Sequence, residues 1–227
     1  GGGGLTVSGD NATAPYVVRV QQGGRGTLRA APNFRGQLRG CVDPIGIGDG
    51  DATVLGEMFG DTITAGSGVQ TILGDNGFVQ MDVEGNNFAQ VGTKSLSSTT
   101  GVLFVTELGG DDVITAGDGT KRVLGGDGND TITLGVGEHT VSGDNATVTY
   151  VAIGQTGAGR ILRAETTDMV QLTGGVDLIG MGDGDATVLG GRFGDTTADD
   201  IGMQSILGDK GHVHTDVMST NRSQVGP

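Results

Sequence analysis

Tryptophan is absent from the chain, aromatic residues make up 4 % of it, and one cysteine (Cys41) and four prolines occur in 227 residues. So little bulk argues against an ordinary globular core at this length, and a lone cysteine rules out an intrachain disulfide. Its counterpart one long repeat later is Gly175, so a tolerated small residue is the expected role. Positive charge is scarce too. With 13 basic against 27 acidic residues the formal charge is −14, which disfavours nucleic acid and anionic membrane surfaces as partners. No apolar run is long enough to span a bilayer, so no membrane insertion is expected. No sustained 3.6-residue apolar period marks a helix, and no H-E-x-x-H, G-x-S-x-G or phosphate-loop pattern points to catalysis. The chain is expected not to be an enzyme.

What it has instead is glycine, 47 residues of it, at fixed spacing. Gly125 to Thr133 fits all nine positions of G-G-x-G-x-D-x-U-x, where U is a large aliphatic residue, and that motif is specific only when tandem. Here it is tandem. Steps of nine through 107–142 place Ile114, Val123, Ile132 and Val141 at position eight. The same register gives Ile45, Val54, Ile63 and Ile72 in block 38–73, and Ile179, Val188, Thr197 and Ile206 in block 172–207. A longer repeat of 134 residues aligns Gly1–Thr93 onto Gly135–Pro227 without a gap, so residues 1–8 match the end of a block. The chain thus opens inside a coil and closes inside a connector, as a piece of a longer array or one completed by other subunits would.

Such repeats predict an all-β solenoid, one continuous segment over 1–227, whose long thin core is built coil on coil. Connectors at 9–37, 74–106, 143–171 and 208–227 alternate apolar and polar residues around glycine-rich turns, as in Tyr16 to Val20, and read as hairpins or longer coils.

Two nonapeptides make one 18-residue coil, so odd repeats turn along one edge and even repeats along the other. Position six separates them. The odd repeats carry Asp43, Asp61, Asp112, Asp130, Asp177 and Asp195; the even ones carry Ala52, Gln70, Lys121, His139, Ala186 and Gln204. Carboxylates stacked at about 4.8 Å strand spacing repel one another unless cations lie between them. Calcium suits the column, because it takes six to eight oxygens at flexible geometry and the turn offers carboxylates together with backbone carbonyls, Gly110 and Gly128 among them. The loop aspartates Asp75, Asp144 and Asp209 return to the odd edge, where each either closes a further site or makes an Asx-type turn. The even-edge aspartates Asp49, Asp51, Asp118, Asp183 and Asp185 are off register and are expected to receive turn amides instead.

These features resemble the RTX, or haemolysin-type calcium-binding, repeats, most closely over Gly109–Ser142. The block-plus-Gly-Asp-Asn-loop arrangement is similar to very large repetitive surface proteins. The resemblance implies a right-handed parallel β-roll, secretion to the extracellular space or cell surface, folding triggered by calcium, and a supporting role. The chain departs from that family in lacking Asp on one edge, in its long connectors, and in Phe59 and Phe193 at the usual fourth-position glycine. The leading expectation is a structural subunit of a filament, surface layer or adhesin shaft that contacts copies of itself head to tail or laterally. The alternative is the secretion and folding module of a calcium-dependent exported enzyme or toxin.

Smaller signals add less. His212 and His214 read as a solvated strand rather than a metal site, because Phe78 and Gln80 stand at the equivalent positions. Of the N-x-S/T sequons, Asn11 and Asn145 lie in loops and are the two that would accept a glycan in a eukaryotic source. The T-x-T pairs at Thr62/Thr64 and Thr131/Thr133 do not extend into an ice-templating array, since Pro44, Val113, Leu178 and Ala198 interrupt it. Leu55, Leu73, Leu124, Leu189 and Leu207 recur at position nine of even repeats, pointing away from the core, and require a cover: the connectors, or a neighbouring solenoid.

Overall fold

The computed structural model describes residues 5–8, 27–28, 42–57, 59–75, 77–81, 88–93, 109–152, 159–167, 174–202, 204–208, 212–215 and 222–226. Every regular element among them is a β-strand, and there is no helix. Even repeats form a seven-stranded parallel sheet: β1 (Leu5–Ser8), β4 (Ala52–Glu57), β6 (Gln70–Asp75), β10 (Lys121–Gly126), β12 (His139–Asp144), β16 (Ala186–Leu189) and β18 (Gln204–Leu207), adjacent in that order. Odd repeats form a six-stranded parallel sheet of β3 (Pro44–Gly46), β5 (Thr62–Ala65), β9 (Val113–Ala116), β11 (Thr131–Leu134), β15 (Leu178–Gly180) and β17 (Thr196–Ala198). The connectors supply a third sheet, antiparallel throughout: β2 (Thr27–Leu28), β7 (Gly77–Met81), β8 (Phe88–Thr93), β13 (Ala146–Ala152), β14 (Gly159–Thr166), β19 (His212–Thr215) and β20 (Arg222–Gly226). No sheet closes on itself.

The repeat fixes the register. Position eight pairs with position eight along both parallel sheets, Ile45 with Ile63, then Ile114, Ile132, Ile179 and Thr197 on one, and Val7 with Val54, then Ile72, Val123, Val141, Val188 and Ile206 on the other. A one-residue slip would turn every one of these side chains to the opposite face, so the pattern excludes it. Coils of 18 residues alternate with coils of 51 or 47, and the longer coils carry the connector hairpins.

Two cores result. Ile63, Ile72, Ile114, Val123, Ile132 and Val188, all 0 % exposed, belong to one cluster between the two parallel sheets. Burying each contributes about 1.5–3 kcal/mol. The second cluster joins the position-nine leucines Leu55, Leu73, Leu124 and Leu189 to Val79, Val91, Val148, Tyr150 and Ala164 of the antiparallel sheet. The leucine row is therefore covered by the chain's own connectors, and the order of layers is odd sheet, even sheet, connector sheet.

Position four of the nonapeptide takes left-handed backbone in most repeats, as Gly50, Gly68, Gly119, Gly128, Gly137 and Gly184 show with positive φ, though Gly110 does not. Phe59 and Phe193 adopt it as well, at φ 69° and 71°. Each bears a steric penalty of about 1–2 kcal/mol that glycine avoids. Phe193 is 55 % exposed, so its ring returns little burial. Phe193→Gly is expected to raise stability by about 1 kcal/mol, less the greater freedom of glycine in the unfolded chain. Thermal melting checks this, and a lower midpoint would show that the ring makes contacts worth more than the strain.

Candidate metal centre

The odd-edge aspartates form one continuous column. Oδ1 of each accepts the backbone N–H of the preceding aspartate in the stack: Asp43 N to Asp61 at 2.8 Å, Asp61 N to Asp112 at 2.6 Å, Asp112 N to Asp130 at 2.8 Å, Asp130 N to Asp177 at 2.8 Å and Asp177 N to Asp195 at 3.0 Å. Asp61, Asp112, Asp130 and Asp177 are each 1 % exposed. One oxygen per carboxylate is thus committed to joining coils.

The other oxygen turns toward glycine backbone. A Cβ placed on Gly56, Gly74, Gly125, Gly143 or Gly190 would lie 2.3, 1.9, 2.0, 1.9 or 2.5 Å from Oδ2 of Asp61, Asp112, Asp130, Asp177 or Asp195 respectively. The same positions lie 2.1 to 2.7 Å from the carbonyl oxygens of Gly74, Gly125, Gly143, Gly190 and Gly208. Glycine is required here because carboxylate and carbonyl columns converge on it. Gly128 and Gly110 stack the same way, a Cβ on Gly128 meeting the Gly110 carbonyl oxygen at 2.5 Å.

No donor reaches Oδ2 of Asp112 or Asp130 among the described residues. Burial pushes the Asp112 carboxyl up to about 8, with the charges of Asp61 and Asp111 adding to it and the Asp61 N–H opposing. Asp130 is raised well above the ordinary carboxylate range, again first by burial and then by Asp112 and Asp177. Ionised carboxylates in such a place require a compensating cation. The donor set is all oxygen, which fits calcium. No three His, Cys, Asp or Glu side chains among the described residues are grouped to hold a metal alone, so an ion here must draw on the glycine carbonyls.

The even edge is built differently. Gln70 Nε2 donates to the carbonyls of Gly50 (3.1 Å) and Ser67 (3.4 Å), and Lys121 Nζ donates to those of Gly68 and Asp118, both at 2.7 Å. His139 Nε2 lies 2.9 Å from the Gly135 carbonyl and must carry its proton there. Burial lowers the pKa of both Lys121 and His139. Protein donors therefore take the turn carbonyls that a cation would otherwise take. The flanking aspartates receive turn amides, as their off-register positions imply: Ser67 N–H on Asp49 (2.8 Å), Val69 N–H on Asp51 (3.2 Å), Val136 N–H on Asp118 (2.8 Å) and Ile201 N–H on Asp183 (3.2 Å).

Both described loop aspartates return to the odd edge. Asp75 Oδ2 accepts the Asp127 N–H at 2.6 Å; Asp144 accepts Gly175 N–H at 2.8 Å on Oδ1 and Arg192 N–H on Oδ2. Asp209, Asn11 and Cys41 lie outside the described residues. The sequon at Asn145 needs correcting: this side chain is 1 % exposed and its amide nitrogen, the atom a glycan would occupy, donates to Asp127. It is not a surface loop site. Sequence reasoning also passed over Asp127, although Asn145 follows it by 18 residues, one coil on. No family model, curated protein or solved structure matches the chain.

Proposed function

We propose that this chain is a segment of an extracellular structural protein whose parallel sheets wind as a right-handed β-roll held by calcium along the odd edge. The observation that carries the reading is the buried aspartate column facing glycine carbonyls, with donorless oxygens on Asp112 and Asp130. Asp43, Asp61, Asp112, Asp130, Asp177 and Asp195 would supply carboxylates, and the glycine carbonyls would complete the coordination. Bound calcium would supply the charge that lets buried carboxylates remain ionised. The resemblance to RTX repeats supports the same conclusion, as does the excess of acidic residues. Self-association extends it: β17 and β18 stand last in their sheets, and Ile206, at an inward position, is 43 % exposed, so a further coil from another copy would bury it.

Equilibrium dialysis with metal analysis tests the assignment. The native chain should bind several calcium ions. Asp112→Asn and Asp130→Asn should each lower that number, whereas Gln70→Ala should leave it unchanged. An equal loss from Gln70→Ala would sink the one-edge assignment, and a native chain that binds no calcium would sink the whole reading.

A further inference from the structure

Asp75 ends β6, Asp127 directly follows β10, and Asn145 sits between β12 and β13, where the parallel stack passes into the antiparallel sheet. All three are buried, at 2 %, 4 % and 1 % exposed. Asp75 Oδ2 accepts the Asp127 N–H at 2.6 Å, and Asp127 Oδ1 meets the amide of Asn145. Asp75 Oδ1 is reached by no donor among the described residues. Backbone has been cleared around this carboxylate: a Cβ on Gly109 or Gly126 would lie 2.0 or 2.5 Å from Asp75 Oδ2. Burial first, then Asp112, Asp130 and Asp127, raises the Asp75 pKa well above the ordinary range.

The next loop supplies an internal comparison. Asp144 accepts the N–H of Arg192 just as Asp75 accepts that of Asp127, because both donors hold position three of an odd repeat. There position three is an arginine, and the contact is made by its backbone N–H. At Asp75 the chain provides a second carboxylate and an amide, all oxygen-bearing groups suited to a hard cation.

We infer that Asp75, Asp127 and Asn145 form a second kind of calcium site, beside the position-six column but with its own ligands, which ties the antiparallel sheet to the parallel stack. The inference rests on the calcium reading above. With calcium bound, the Asn145 amide turns its oxygen to the ion, and two carboxylates and that oxygen hold together three segments that are distant in sequence.

Calcium per chain, counted by equilibrium dialysis, and the melting temperature over a calcium series test this on the full chain. Asp127→Asn should bind one ion fewer than the native chain. Asn145→Asp, with a third carboxylate, should keep the native count and show a larger rise in melting temperature with calcium than the native chain shows. A folded Asp127→Asn that keeps the native count overturns the inference. If Asp127→Asn does not fold, Asn145→Asp decides: a calcium-dependent rise equal to or smaller than the native one also overturns it. A native chain that binds no calcium overturns this site together with the column, whereas binding that survives Asp127→Asn undiminished removes this site alone.

Discussion

Chelation of calcium is expected to unfold the parallel stack, and restoring calcium to refold it. Five inter-coil steps in the column bring carboxylates together, and Asp61, Asp112, Asp130 and Asp177 are all 1 % exposed. An ion present at one hundred times its dissociation constant adds about 2.7 kcal/mol per site. Three or four such ions would match the whole stability of an ordinary domain, about 5–15 kcal/mol. On the calcium reading, the ions would supply most of the chain's stability. Far-ultraviolet circular dichroism should lose its strand signal in chelator and recover it with calcium, while magnesium, which demands near-ideal octahedral geometry and keeps its waters, should restore much less. Asp130→Asn should shift the calcium midpoint upward most, because Asp130 bridges the 18-residue and the 47-residue coils of the best-matched block. Strand signal indifferent to chelator and calcium alike would refute the coupling.

The parts of this architecture legible in the sequence are those governed by an integral period. Nine residues carry the chain across one strand and one turn, so Ile114, Val123, Ile132 and Val141 reach the same core and their pairing follows from their spacing. The odd column was legible for the same reason, one aspartate per coil. Pairing among the connectors was not. Val91 with Val148 and Ala164 with Val213 join strands from different connectors, and no local spacing records which hairpin lies beside which. The position-nine leucines signalled a cover without naming it, since hydrophobicity carries no address; Val79, Val148 and Tyr150 supply it. Gln70, Lys121 and His139 were legible as position-six residues that break the aspartate pattern, but not as a set of donors, because they share no residue type. What they share is a donor that reaches a turn carbonyl, which appears only once the turns are stacked. Phe59 and Phe193 show the reverse: position four dictates left-handed backbone strongly enough to impose it on phenylalanine.

Lys121 is where the two edges can be interchanged. Its side chain is 0 % exposed, and the ammonium spans the carbonyls of Gly68 and Asp118, joining coils 53 residues apart in sequence. Lys121→Met keeps most of the aliphatic stem and removes the donors. The partly buried Gly68 carbonyl then loses this donor, at about 1–3 kcal/mol, while the Asp118 carbonyl keeps the Gly68 N–H at 2.9 Å; against the loss stands the desolvation of the ammonium, no longer incurred. The net loss should be about 1 kcal/mol, read as a lower urea midpoint at unchanged slope, and it should be the same at every calcium concentration because nothing at this turn then binds the ion. Lys121→Asp should behave otherwise. In chelator it should be less stable than Lys121→Met, since it buries a negative charge beside two carbonyl oxygens and Asp118. With calcium, those same groups make an oxygen set like that of the odd edge, and much of the loss should return. Stability of Lys121→Met within about 0.5 kcal/mol of the native chain, the range of an ordinary surface substitution, would show that the ammonium does not hold this turn. Equal calcium responses of the Met and Asp variants would show that the even edge lacks a cation for some reason other than its own built-in donors.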